Sequence, residues 1–175
     1  MRSHWASDDT FGHLLAALMP PNRLAVEMSL RYGMRIGDVL ATKTEDVRRG
    51  RWTYKEEKTG KARRVSVCKE LQARLLSQAG RVYVFEHRLD RTRHRTRQAV
   101  YKDMCRVAKT FHVKHVTPHS ARKAYAVRAY HTCHDLSKVQ RLLNHSSEAV
   151  TMLYAMADQI DAASKSVPFA RRSPP

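Results

Sequence analysis

Two short segments in the C-terminal half of this chain gather the groups that handling a phosphodiester without a metal would require. Thr117-Pro118-His119-Ser120-Ala121-Arg122 is followed by Leu142-Leu143-Asn144-His145-Ser146-Ser147 and then by Tyr154. His119 and Arg122 are three apart at a helix start marked by Pro118. That spacing sets both on one helix face, beside backbone amides that already favour an anion. The guanidinium of Arg122 offers a planar fork to two phosphate oxygens. His119 titrates near neutrality and can relay a proton. By itself, however, His-x-x-Arg is also an ordinary helix surface pattern.

Further groups lie upstream. Arg35 sits in Tyr32-Gly33-Met34-Arg35-Ile36-Gly37-Asp38. Gly33 marks a tight helix end that aims Arg35 inward, and Asp38 is placed to hold its guanidinium; an exposed Arg–Asp pair fits the same letters. Lys58 falls on the turn Lys58-Thr59-Gly60-Lys61, where a flexible ammonium reaches across a sheet edge or is simply solvated. Tyr154 belongs to an amphipathic stretch from Val150 to Met156 and could equally pack in a core. A phenol with a pKa of ~10 needs cationic neighbours to act as a nucleophile. Arg35, Arg122 and His145 would supply them.

The elements that must position these groups follow from length, charge and periodicity. The 175 residues fit one domain, and 42% hydrophobic residues suffice for a core. A formal charge of +17, from 33 Lys and Arg against 16 Asp and Glu, attracts polyanions, with nucleic acid the leading partner. No apolar run approaches the ~20 residues of a membrane span, and no leader pattern opens the chain. Cys68, Cys105 and Cys133 show no paired spacing and read as small buried thiols of a reducing cytosol. Cys133 and His134, with His131, lack the second pair a tetrahedral metal site needs, so no metal is expected.

Helical periodicity and start signals predict one helix from Asp8 or Asp9 that stops at Pro20-Pro21, and a second capped by Asn22 and broken at Gly33. A short helical turn follows at Ile36, Val39 and Leu40. Trp52 to Tyr54, Arg64 to Val67 and Val82 to Phe85 read as three strands, the first two joined at Lys58-Thr59-Gly60-Lys61. Further helices are expected from Lys69 to about Gln78, through Val100 to Val107, from Pro118 to about Tyr130, from Leu136 to Leu143 and from Ser147 to about Ala157. The fold class is α+β, mainly α, with a small three-stranded antiparallel sheet.

Together these boxes resemble the catalytic domain of tyrosine recombinases, the phage integrase family. Arg35 in Tyr-Gly-Met-Arg-Ile-Gly-Asp matches the family's first arginine, and Lys58 in Lys-Thr-Gly-Lys matches its hairpin lysine. His119-Ser120-Ala121-Arg122 matches the His-x-x-Arg box, and Leu142 to Ser147 the segment usually written Leu-Gly-His-Ser-Ser. Tyr154 lies nine positions after His145, where the nucleophile belongs. Departures are modest: Tyr32 for Thr, Asp38 for Glu, and Asn144 for Gly, a residue that also tolerates the left-handed backbone.

The resemblance implies a catalytic domain over residues 8–158, a C-terminal extension over 159–175 that docks on a neighbouring subunit, and no N-terminal core-binding domain. The chain is then a short recombinase or an excised catalytic domain. It implies that Arg35, Arg122 and His145 hold the scissile phosphate, Tyr154 attacks, Lys58 protonates the leaving oxygen, His119 assists proton transfer and Asp38 orients Arg35. Neither ATP nor any other cofactor is implied. The partners are double-stranded DNA and further copies of the chain, a tetramer when assembled on DNA, in the cytoplasm of a bacterium or of a host. Lys43, Arg48, Arg49, Arg51, Arg91, Arg93, Arg95 and Arg97 read as contacts to the DNA backbone. The rival readings are a type IB topoisomerase-like relaxing enzyme and a catalytically idle DNA-binding accessory protein.

Overall fold

The computed structural model describes residues 8–113 and 116–143. The elements run α1 (Asp8–Ala17), α2 (Pro20–Tyr32), α3 (Ile36–Leu40), α4 (Thr44–Arg48), β1 (Arg51–Lys55), β2 (Ala62–Ser66), α5 (Lys69–Ser77), α6 (Arg97–Thr110), α7 (Pro118–Cys133) and α8 (Leu136–Leu143). Helix α2 is central. Every residue from Leu24 to Leu30 is buried, and α7, α3 and α1 pack around it. Met28, Met34, Val39, Leu40, Leu71, Leu75, Phe85, Val100 and Met104 form the main core, while Ala126, Val139 and Leu143 make a smaller cluster between α7 and α8.

Most of the expected helices are present, and the departures have local causes. Pro20 and Pro21 open α2. The first amides of a helix have no partner within it, so proline loses nothing there. Asn22 is therefore inside the helix, not at its cap. Its Nδ2 donates to Asp103 Oδ2 at 2.7 Å, and its Oδ1 accepts from Arg95 Nε at 2.6 Å. The Met19 amide donates to the same Asp103 oxygen at 2.9 Å. Helix α7 runs past Tyr130 to Cys133, where His134 closes it in a left-handed conformation at φ 49°. The short helix α4 carries no periodicity strong enough to predict. The helix expected after Ser147 lies outside the described residues.

Among the described residues the sheet has two strands, not three. β1 and β2 pair antiparallel with Trp52 opposite Val65 and Tyr54 opposite Arg63. The segment from Val82 to Phe85 spends its hydrogen bonds on the loop before α4: Val84 N donates to Thr42 O at 3.1 Å, and Val82 O accepts from Thr44 N at 3.0 Å. It thus plugs Val84 and Phe85 into the core, each 1% exposed, away from the hairpin edge. The cysteines also depart from expectation, since Cys68 is exposed and Cys105 and Cys133 are half-buried. No described helix is long and apolar enough to cross a membrane.

Candidate active site

The site is built on the corner between α2 and α3. Gly33 closes α2 at φ 62°, its amide donating to Ser29 O at 2.9 Å. A Cβ there would lie 2.4 Å from the Tyr125 ring of α7, so glycine is required both by the backbone and by the packing. Ser29 Oγ donates to Met34 O at 2.7 Å, which ties the corner back onto α2. Arg35 follows as the N-cap of α3.

Two carbonyls of the corner face outward to arginines. Gly33 O accepts from Arg122 Nη1 at 2.6 Å and from Arg63 Nη1 at 3.1 Å, and Tyr32 O accepts from Arg63 Nη2. Arg122 leaves the first turns of α7, and its Nη2 donates to Leu143 O at 2.7 Å, tying in the end of α8. At 7% exposure it is buried. Burial, together with the charges of Arg35 and Arg63, lowers its pKa to about 10, so it remains a cation at neutral pH.

At the centre is a residue that the sequence reading missed. Glu56 is 1% exposed, and its Oε2 accepts from Arg35 Nη1 at 2.5 Å and from Thr59 Oγ1 at 2.8 Å. Its Oε1 lies 3.5 Å from Arg63 Nη1 and 3.9 Å from Arg122 Nη1. Burial pushes its pKa up, but the bonds from Thr59 and Arg35 and the charges of Arg35 and Arg122 outweigh it and hold the carboxyl below its usual range. A signal for it existed. Trp52 and Tyr54 face inward along β1, and the strand period of two carries Glu56 inward as well.

Asp38 does not make the hydrogen bond to Arg35 that the sequence suggests. Its Oδ1 accepts the Glu57 amide at 3.0 Å, and its buried Oδ2 has no hydrogen-bond partner. Burial raises its pKa, against the Glu57 bond and the charges of Arg35 and Arg122. The guanidinium of Arg35 turns instead to Glu56, because the hairpin brings a carboxylate to it from the other side. Asp38 holds the hairpin to α3. Next to it Tyr54 is half-buried with a buried, unpartnered hydroxyl, and burial pushes its pKa up to about 12.

His119 and Lys58 are both exposed, one in the first turn of α7 and the other on the hairpin turn. Partial burial of the ring lowers the His119 pKa, and the charges of Arg122, Lys123, Lys58 and Arg35 lower it further. At neutral pH the imidazole is neutral and can accept a proton. The charges of Arg35, Lys58 and Arg122 thus all reach His119 although the four residues come from three separate regions of the chain. His145 and Tyr154 lie outside the described residues.

The basic residues read as DNA-backbone contacts divide. Lys43, Arg48, Arg49, Arg51, Arg91, Arg93 and Arg97 are exposed. Arg48 lies 3.4 Å from Glu45, Arg49 3.7 Å from Asp46 and Arg97 3.3 Å from Glu57. Arg95 is different, since its Nε is bound inward to Asn22, and burial lowers its pKa.

The domain is mainly helical with a small antiparallel hairpin, and it brings Arg35 and Arg122 to one buried carboxylate. The particular family is settled by comparison. The model of the phage integrase family matches residues 8–160, and the chain belongs to that family, the tyrosine recombinases, which are DNA strand-transferring enzymes. It is 26% identical over 130 residues to the probable integrase/recombinase YoeC of Bacillus subtilis (strain 168), covering 72% of each chain. The fold is similar to that of XerA recombinase, with a TM-score of 0.69 at 20% identity over 97% of this chain and 67% of that one. It is also similar to a lambda integrase dimer bound to a COC′ core site, with a TM-score of 0.72 at 20% identity over 87% of this chain and 48% of that one.

Proposed function

We propose that this protein is a site-specific recombinase that cuts and rejoins double-stranded DNA through a 3′-phosphotyrosyl intermediate. The observation that carries this reading is the convergence of Arg35 and Arg122, far apart in sequence, on one buried carboxylate beside the α2–α3 corner. Two guanidiniums brought together in this way suit the non-bridging oxygens of a phosphodiester. With His145 they stabilise the charge that grows on those oxygens in the transition state.

In the proposed step the Tyr154 oxygen attacks phosphorus and gives up its phenolic proton, which the neutral His119 ring helps to transfer. A new bond forms between phosphorus and the tyrosyl oxygen, and the bond from phosphorus to the 5′ oxygen breaks. Lys58 protonates that leaving oxygen. Rejoining reverses the step with a 5′ hydroxyl from another strand, so the phosphoester count is unchanged and ATP has no part. Residues 8–158 form the catalytic unit in this reading. Residues 159–175 dock on a neighbouring copy, four copies assemble on DNA, and the reaction takes place in the cytoplasm.

The test uses a library of nicked duplexes with a randomised core, incubated with the protein in chelator and without nucleotide. Wild-type protein is expected to give adducts that survive detergent, and sequencing the captured DNA identifies a site. Tyr154→Phe is expected to bind the enriched duplex and give no adduct. Absence of adduct from wild-type protein that binds the library would overturn the proposal, and an adduct with Tyr154→Phe would overturn the choice of nucleophile.

A further inference from the structure

We propose that Glu56 is a positioning residue for the reaction: a buried internal anion that holds the phosphate-binding arginines in their working arrangement before DNA arrives. The inference rests on the recombinase reading of the same site. Three guanidiniums, of Arg35, Arg63 and Arg122, crowd around the α2–α3 corner, and like charges at that range drive one another apart. Glu56 is the carboxylate that all three approach, at 2.5, 3.5 and 3.9 Å. Its side chain is 0% exposed, whereas those of Arg35, Arg63 and Arg122 are 16%, 10% and 9% exposed. The carboxylate therefore lies deeper than the arginines gathered around it. It templates the phosphate site from below and does not occupy it.

The attachment of Glu56 supports the same role. Thr59, on the turn that carries Lys58, donates to Glu56 Oε2 at 2.8 Å, and that oxygen also receives Arg35. One carboxylate oxygen thus couples the lysine-bearing turn to Arg35, while the other makes no hydrogen bond and lies at ion-pair range of Arg63 and Arg122. Movement of the hairpin would be felt at the arginines through this single group. Arg63 completes the frame, since its other contacts are the carbonyls of Tyr32 and Gly33. A pocket ordered in this way loses little freedom when it takes up a phosphodiester, which raises rate more than affinity.

Glu56→Gln keeps the shape and the capacity to accept from Thr59, and it removes the charge. On the enriched nicked duplex, the single-turnover rate of adduct formation is expected to fall on the order of 10- to 100-fold. DNA affinity measured by fluorescence anisotropy is expected to hold or tighten, because one negative charge has gone. Loss of rate with retained affinity is the signature of positioning; a purely structural residue would lower the two in parallel with the folded fraction. A normal adduct rate in Glu56→Gln, beside an active wild type, overturns this inference alone. Failure of wild-type protein to form adduct overturns the recombinase reading and this inference with it. If Glu56→Gln does not melt cooperatively, Thr59→Val decides: it frees the carboxylate without removing it, so a slower adduct at unchanged affinity supports the role and an unchanged rate overturns it.

Discussion

Two arginine-rich regions of this protein look alike as sequence and differ as structure. Around the α2–α3 corner, Arg35, Arg63 and Arg122 are held by a buried carboxylate and by the carbonyls of Tyr32, Gly33 and Leu143. In the segment from Arg91 to Arg97, Arg91, Arg93 and Arg97 lie on the surface, and Arg97 pairs with the exposed Glu57. Arginine buries at a cost that fixed acceptors must offset, so a guanidinium with several such partners is immobilised and directional. One facing solvent keeps its rotamers and contributes field rather than geometry. Positive charge in the sequence therefore marks affinity for a polyanion, and only burial with partners marks the place where chemistry can be aimed.

Substitutions can break that contrast, and the largest effect is expected at Arg122. Arg122→Ala removes the bonds to Gly33 and Leu143 together, so a loss of about 3 kcal/mol is expected in chemical denaturation, with covalent adduct abolished. An unchanged denaturation midpoint would reduce Arg122 to a rim residue. Arg95 sharpens the comparison because it belongs to the basic run yet points inward. Arg95→Ala leaves Asn22 without a partner for its oxygen, and about 1.5 kcal/mol of stability should go with it. The smallest effect is expected at Arg97. Its replacement by Ala should change stability by no more than about 0.5 kcal/mol, while the log–log salt slope of DNA binding drops by about 0.9 for one lost phosphate contact. Equal destabilisation at Arg95 and Arg97 would erase the distinction drawn between them.

The helices were legible because their apolar periodicity and end signals are local. Pro118 opens α7, Gly33 closes α2, and Leu136 to Leu143 form α8 as their spacing predicts. The misreadings came where a local signal had two physical uses. Pro20-Pro21 can end a helix or begin one, and Asn22 can cap a helix or satisfy buried Asp103 and Arg95. Val82 to Phe85 has strand composition, yet its backbone hydrogen bonds go to Thr42, Thr44, Gly80 and Arg95. Nothing in the letters from 82 to 85 says which neighbour will be in reach.

The reactive groups of the site were readable for a different reason. Their order along the chain and the short boxes around Arg35, Lys58, His119 and Arg122 carry the resemblance to the family whose model the chain matches. The partners of those groups were not readable in the same way. The sequence by itself determined the helical frame, the cationic character and the family boxes, since each depends on residue type and local spacing. The tertiary structure alone decided that Glu56, rather than Asp38, meets Arg35, and that Arg63 and Arg122 share one glycine carbonyl. Ion pairs across a fold are chosen by which side chains arrive within a few ångströms after packing, and that distance is a property of the assembled core.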